Sequence, residues 1–179
     1  MALERVGSEE AYDGKIFSVR VDRFRYDDGD EAEREIVSHP GAVGVVAHDG
    51  ERLYLVRQPR EAVGEESVLE IPAGKLDEEG EDALETAKRE LAEEIGKAGA
   101  RWTEIASFYT SPGFTDERVT VYAATELSDA DADADAEEEE RIEIVPWPLE
   151  RLDEAIADCR DSKSLIGLLW LARELDRAS

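Results

Sequence analysis

The chain has 179 residues, with 46 Asp and Glu against 21 Lys and Arg and a formal net charge of -25. That length is enough for one domain with a real core and does not demand two. Such a charge repels nucleic-acid phosphates and anionic membranes, so both are poor partners.

Only five of the 21 basic residues are lysines (Lys15, Lys75, Lys88, Lys97, Lys163). Abundant acid with scarce lysine is similar to the surface of proteins from salt-loaded cytoplasm, where ionic strength screens self-repulsion. Cys159 is alone, so neither an internal disulfide nor a thiolate zinc cluster is available, and a structural thiol is the expectation. The N-terminus has no apolar signal region and no stretch approaches the length of a membrane span, so the expected location is the cytoplasm.

In chain order, alternation from Lys15 to Arg25 predicts a strand, Tyr26 to Asp30 a turn, and Glu33 to Ser38 a second strand, together an N-terminal hairpin. The apolar run Ala42 to Ala47 predicts a buried strand, followed by a turn at His48-Asp49-Gly50 and a strand over Arg52 to Arg57. Val68 to Ala73 leads into an acidic stretch, Gly74 to Lys97. Beyond it, Arg101 to Tyr109 and Arg118 to Thr125 read as strands flanking a loop, Thr110 to Glu117. A low-complexity acidic segment spans Ser128 to Glu140, then a short strand, Ile142 to Val145. Two helices close the chain, at about Leu149 to Cys159 and Ser164 to Arg177, the second expected to bury Leu165, Leu168, Leu169, Ala172 and Leu175. There are no internal repeats, and the mixture predicts an α/β sandwich with helices covering a mixed sheet.

The acidic stretch carries the chemistry. Arg89 to Gly96 reads as a helix with a glycine C-cap. Glu90 and Glu94 fall one turn apart with Glu93 beside them, next to an apolar stripe of Leu84, Ala87, Leu91 and Ile95. Like charges so spaced cost roughly 0.2 to 0.5 kcal/mol per pair, which a divalent cation would reverse. An acidic solvated face is the plainer reading of those three residues alone. Glu81, Glu85 and Arg89 follow at i, i+4 and i+8, an order that would brace Arg89 beside the cluster.

The pattern G-x6-E-x7-R-E-L-x-E-E-x-G, on Gly74, Glu81, Arg89, Glu90, Leu91, Glu93, Glu94 and Gly96, resembles the Nudix box of the Nudix hydrolases. It departs in two places: Lys75 to Gly80 make six residues where the family has five, and Lys97 stands where the family prefers an apolar residue. The insertion precedes the helix, so the carboxylates keep their mutual geometry. Glu70-Ile71-Pro72-Ala73-Gly74-Lys75, Ser111-Pro112-Gly113-Phe114 and Val56-Arg57-Gln58-Pro59-Arg60 resemble the ADP-ribose pyrophosphatase branch, as do Arg34-Glu35-Ile36-Val37 and His39-Pro40-Gly41-Ala42. Pro112, 16 residues beyond Gly96, is near that branch's diagnostic proline.

The resemblance implies a Nudix-type α/β/α sandwich (α+β), with an N-terminal strand region at 1–40 that pairs two subunits into a homodimer and a hydrolase domain at 41–179. It implies Mg²⁺, or Mn²⁺, held by Glu90, Glu93, Glu94, Glu140 and the carbonyl of Ala73, with Arg89 and Glu81 orienting the site. It places the base at Glu138 in the acidic run before Arg141 to Ile144, although a solvated loop is the other reading of that run. Arg34 and Arg60 are implied contacts to phosphate or the terminal ribose, Glu35 to ribose hydroxyls or adenine, and Ile16 or Phe17 to the base. His39 and His48 have no spaced metal partner and read as structural. The implied reaction is hydrolysis of ADP-ribose to AMP and ribose 5-phosphate. Other readings are a different nucleotide, such as GDP-mannose or an oxidised nucleotide, or a catalytically silent Nudix fold that only binds. The full carboxylate set opposes silence and the inserted loop residue favours it.

Overall fold

The computed structural model describes residues 2–78, 80–130 and 141–178. The chain forms two compact units, Met1–Gly41 with Phe108–Arg118, and Ala42–Ser107 with Val119–Ser179.

The first unit is a three-stranded sheet, β1 (Leu3–Asp13), β2 (Ser18–Tyr26) and β3 (Glu31–Ser38), in that order. The β2–β3 hairpin is the predicted one: its turn places Gly29 at φ 88°, a conformation glycine adopts without steric cost. Strand β1 was not foreseen. Its residues are almost all exposed, so no period-two apolar pattern marks it. Pairing with β2 and a buried carboxylate stabilise it instead: Asp22, 1% exposed, accepts Ser8 Oγ at 2.6 Å, Arg20 Nε at 3.0 Å and Arg5 Nη1 at 3.4 Å. Asp116 then ties the loop after Phe108 to this sheet, accepting from Arg20, Ser38 Oγ and the His39 N–H.

The second unit holds β4 (Ala42–His48), β5 (Arg52–Arg60), β6 (Glu65–Glu70), β7 (Ala73–Lys75), β8 (Lys97–Tyr109), β9 (Arg118–Asp129) and β10 (Glu143–Pro148). The spatial order is β10-β5-β4-β9-β8, with β6 on β5 and β7 on β4. Strand β4 runs parallel to β9 and antiparallel to β5 and β7, so the sheet is mixed. Its helices are α1 (Ala83–Ile95), α2 (Leu152–Asp158) and α3 (Ser162–Ala178).

Both faces of β4 are covered, which is why Ala42 to His48 is almost continuously apolar. Val43, Val45 and Ala47 join Ala87, Leu91 and Ile95 of α1 in one cluster. On the other face Val46 meets α3, where a Cβ at Gly167 would fall 2.6 Å from Val46 Cγ2, so the missing side chain lets the helix approach. The result is the expected α/β/α sandwich. Of the stripe predicted, helix α3 buries Leu168 and half-buries Leu165, Ala172 and Leu175, while Leu169 is 54% exposed; Ser164, Gly167 and Leu171 complete the buried face. Gly167 therefore shares the contact face with Leu168 and Leu171. The preceding helix is also shorter than predicted, a 3-10 turn at Leu149–Arg151 followed by α2. Ser128 and Asp129, read as acidic filler, finish β9, where Asp129 pairs with Lys97 at 2.6 Å.

Candidate active site at the acidic helix

Helix α1 starts where its sequence allows. Asp82 caps it by accepting the Leu84 and Glu85 N–H groups at 2.9 Å each, a bond set worth about 1 kcal/mol. Gly96 ends it in the left-handed region at φ 65°, donating to Ala92 O. Because the helix begins at Ala83, Glu81 lies ahead of it and not on its face as the i, i+4, i+8 spacing suggested. The helix buries Thr86, Ala87, Leu91 and Ile95 and turns Glu90 and Glu94 toward β7.

Two carboxylates meet that strand. The Ala73 N–H donates to Glu94 Oε2 at 3.1 Å. Gly74 passes so close to Glu90 that a Cβ there would lie 2.0 Å from both Cδ and Oε1. Thus the space a side chain at position 74 would take is filled by the Glu90 carboxylate. Strand β7 is itself fixed by pairing Val43 with Gly74 and Gly44 with Ala73, and by the Val45 N–H donating to Pro72 O at 2.8 Å.

Arg89 braces the cluster, with partners partly different from those predicted. Its Nη1 reaches Glu93 at 2.8 Å and Glu90 at 3.0 Å, and its Nε lies 3.3 Å from Glu81. Glu85 pairs with Lys88 instead, at 2.7 Å. Burial works against the Arg89 charge, but Glu90, Glu93 and Glu81 outweigh it and raise the guanidinium pKa further. Among the described residues, no three acidic, His or Cys side chains converge as a ready cation cage. Arg89 draws Glu90 and Glu93, while Ala73 engages Glu94. The donors are nonetheless hard oxygens crowded around a glycine-lined backbone, the set a small divalent cation takes.

Behind β7 lies a charged network that the sequence reading missed. Glu70 is 2% exposed. Its Oε1 and Oε2 accept Arg60 Nε and Nη2 at 2.6 and 2.8 Å, and Oε2 also accepts Lys163 Nζ. Lys163 bonds Asp161 at 2.9 Å, and Asp161 takes the Ser164 N–H and Oγ–H at 3.0 and 2.5 Å. A charged residue inside the otherwise apolar run Val68 to Ala73 was the available signal, since a buried charge must be paired. Burial alone would raise the Glu70 carboxyl, but the Arg60 hydrogen bonds and the Lys163 charge outweigh it and hold it below its ordinary value. A carboxylate depressed on folding contributes stability that is present above its unfolded pKa, roughly 4.3, and lost as pH falls through the folded value. Urea-unfolding midpoints measured from pH 7 to 3 should therefore fall less steeply below about pH 4 in Glu70→Gln than in the parent chain.

The remaining predicted residues are placed as follows. Arg60 is committed to Glu70, with 43% of its side chain exposed. Arg34 is exposed and donates to Glu33 O at 2.8 Å and Tyr26 Oη at 3.2 Å. Glu35 is exposed on β3 opposite Val21. Ile16 and Phe17 are 59% and 41% exposed, and the Phe17 ring sits 5.9 Å from Tyr12. His39 Nδ1 accepts the Gly41 N–H at 3.1 Å. His48 has its Nδ1 buried without a partner among the described residues, and burial, against the pull of Asp49, pushes its pKa down. Cys159 is a buried thiol whose pKa burial raises. Glu138 and Glu140 lie outside the described residues. No helix among the described residues is long and apolar enough to cross a membrane.

The capped acidic helix set against Ala73–Gly74 is matched by a family: the NUDIX domain covers residues 38–164, and the chain belongs to the Nudix family. An ADP-ribose pyrophosphatase of Bacillus subtilis (strain 168) is 45% identical over 124 residues, 69% of this chain and 66% of that protein. The chain thus spans just under two thirds of that relative. A methanol dehydrogenase activator of Bacillus methanolicus is 38% identical over 169 residues, 93% of this chain and 90% of that one. A crystal structure of an ADP compounds hydrolase superposes with a TM-score of 0.84, covering 100% of this chain and 97% of that one at 21% identity, and so shares the fold.

Proposed function

We propose that the chain hydrolyses the pyrophosphate of ADP-ribose to AMP and ribose 5-phosphate. The observation that carries this reading is the closure of Glu90 onto Gly74 and of Glu94 onto the Ala73 N–H, which gathers carboxylates and backbone at one strand end. The similarity to ADP-ribose pyrophosphatases supports the substrate.

Glu90, Glu93, Glu94, Glu140 and the Ala73 carbonyl would hold Mg²⁺, with Mn²⁺ as the other candidate. Bound there, the cation offsets pyrophosphate charge, orients it and lowers the pKa of water. The chain's own groups do the rest. Arg89 orients Glu90 and Glu93, and yields them to a stronger cation while retaining Glu81. Glu138 takes a proton from water as the water oxygen bonds to phosphorus; the bridging P–O bond breaks, and its electron pair stays on the departing phosphate. Arg34 and Arg60 hold the anionic substrate by guanidinium forks, which for Arg60 requires leaving Glu70 in part.

Phosphate-product analysis of ADP-ribose, GDP-mannose and oxidised nucleotides with Mg²⁺ in high KCl tests the assignment. Preferential turnover of ADP-ribose supports it, and preference for another nucleotide, or no turnover, overturns it. Glu138→Gln should lower kcat by roughly 10² to 10⁴ if it is the base; near-normal turnover moves that role to a neighbouring glutamate. We also infer a homodimer formed through the N-terminal strands, supported by Leu3, Tyr12 and Ile16 standing 60%, 56% and 59% exposed within that unit. Light scattering at high salt should give twice the chain mass of 19.9 kDa, and a monomer removes the inference.

A further inference from the structure

The buried Glu70 network contains three residues, Asp161, Lys163 and Ser164, that the proposed reaction does not use. Asp161 precedes α3, and Lys163 and Ser164 in its first turn lie about 90 positions from Glu70 and Ile71, which they grip. Each grip lands just before the metal-facing backbone. Lys163 holds the Glu70 side chain, and Ser164 Oγ accepts the Ile71 N–H at 2.9 Å. Ser164 is 0% exposed, and its own proton goes to Asp161. Two and three residues beyond Ile71, Ala73 meets Glu94 and Gly74 meets Glu90.

We propose that Lys163 and Ser164 are positioning residues that clamp Glu70–Ile71 and so set the Ala73–Gly74 backbone against the α1 carboxylates for cation binding. The inference rests on the metal reading given under the proposed function. Its physical basis is the division of labour at Glu70. Of the three charged groups on or at that carboxylate, Arg60 alone is substantially exposed, at 43%, whereas Glu70 and Lys163 are 2% and 13%. Lys163 therefore keeps the carboxylate neutralised when Arg60 engages an anion, and an unpaired buried carboxylate would otherwise disturb the strand. The Ser164 bond fixes the next peptide independently of any charge. Residues 70 to 73 are then held at every step: by Lys163, by Ser164, by Val45 and by Glu94.

The test is calorimetric titration of Mg²⁺ into the substrate-free full chain in high KCl, which screens loose attraction to the acidic surface. It is run on the parent, Lys163→Met, Lys163→Arg and Ser164→Ala, with a thermal melt of each. Lys163→Met and Ser164→Ala are expected to bind Mg²⁺ about 10-fold more weakly, the lower end of what outer partners of a metal site contribute. Lys163→Arg should return to near the parent value, and KM for ADP-ribose at saturating Mg²⁺ should hold in Ser164→Ala. Lowered melting temperatures with unchanged Mg²⁺ affinity would make the network purely structural and overturn the clamp alone. A parent chain that takes up no Mg²⁺ overturns the metal reading and the clamp together. Ser164→Ala keeps the question open to test should Lys163→Met fail to fold, because it deletes one oxygen and leaves every charge in place.

Discussion

Gly74→Ala is expected to reduce kcat/KM by roughly 10² to 10³, the loss typical of removing one well-placed charge-stabilising group, while leaving the fold intact. The added Cβ would fall 2.0 Å from Glu90 Cδ and Oε1. What it meets is the end of a flexible side chain, so Glu90 can swing away at small cost to folding. Its carboxylate then no longer lies against β7. Gly74 is not among the residues with positive φ, so backbone strain is not part of the effect. Steady-state kinetics beside a melting curve separate the two quantities: activity lost with the melting temperature nearly unchanged supports the site, and full activity in a folded variant excludes Glu90 from it.

The largest stability effect is expected at Leu91→Ala. Leu91 is fully buried in the cluster that joins α1 to β4, and such truncations cost about 2 to 5 kcal/mol because a cavity adds to the lost transfer energy. Against a typical total of roughly 5 to 15 kcal/mol, that is a large fraction. Urea unfolding measures it. Leu169→Ala on α3 is the control: at 54% exposure it should change stability by no more than about 0.5 kcal/mol. Leucines on two helices thus yield opposite outcomes according to whether each faces the sheet or solvent.

Periodicity located α1, its Gly96 cap and the one-turn spacing of Glu90 and Glu94, since these depend on neighbours within one helix. It also located β4, because a strand covered on both faces is apolar at every position. It did not reveal β1, whose exposed residues carry no pattern, or the Gly167 face of α3, where closeness to Val46 matters more than hydrophobicity. The acidic run at 137–140 remains an assignment from resemblance, outside the described residues.

By itself, then, the sequence determined the family motif, the capped helix and the set of oxygen donors available to a cation. The tertiary structure decided which of them meet: Glu90 on Gly74, Glu94 on Ala73, Arg89 on Glu93 and Glu90 rather than Glu85, and Glu70 on Arg60 and Lys163. The reason is physical. Spacing along one element constrains only side chains that share its face, whereas most of these contacts join separate elements, and Glu70 and Lys163 are brought together only when the sheet and α3 pack.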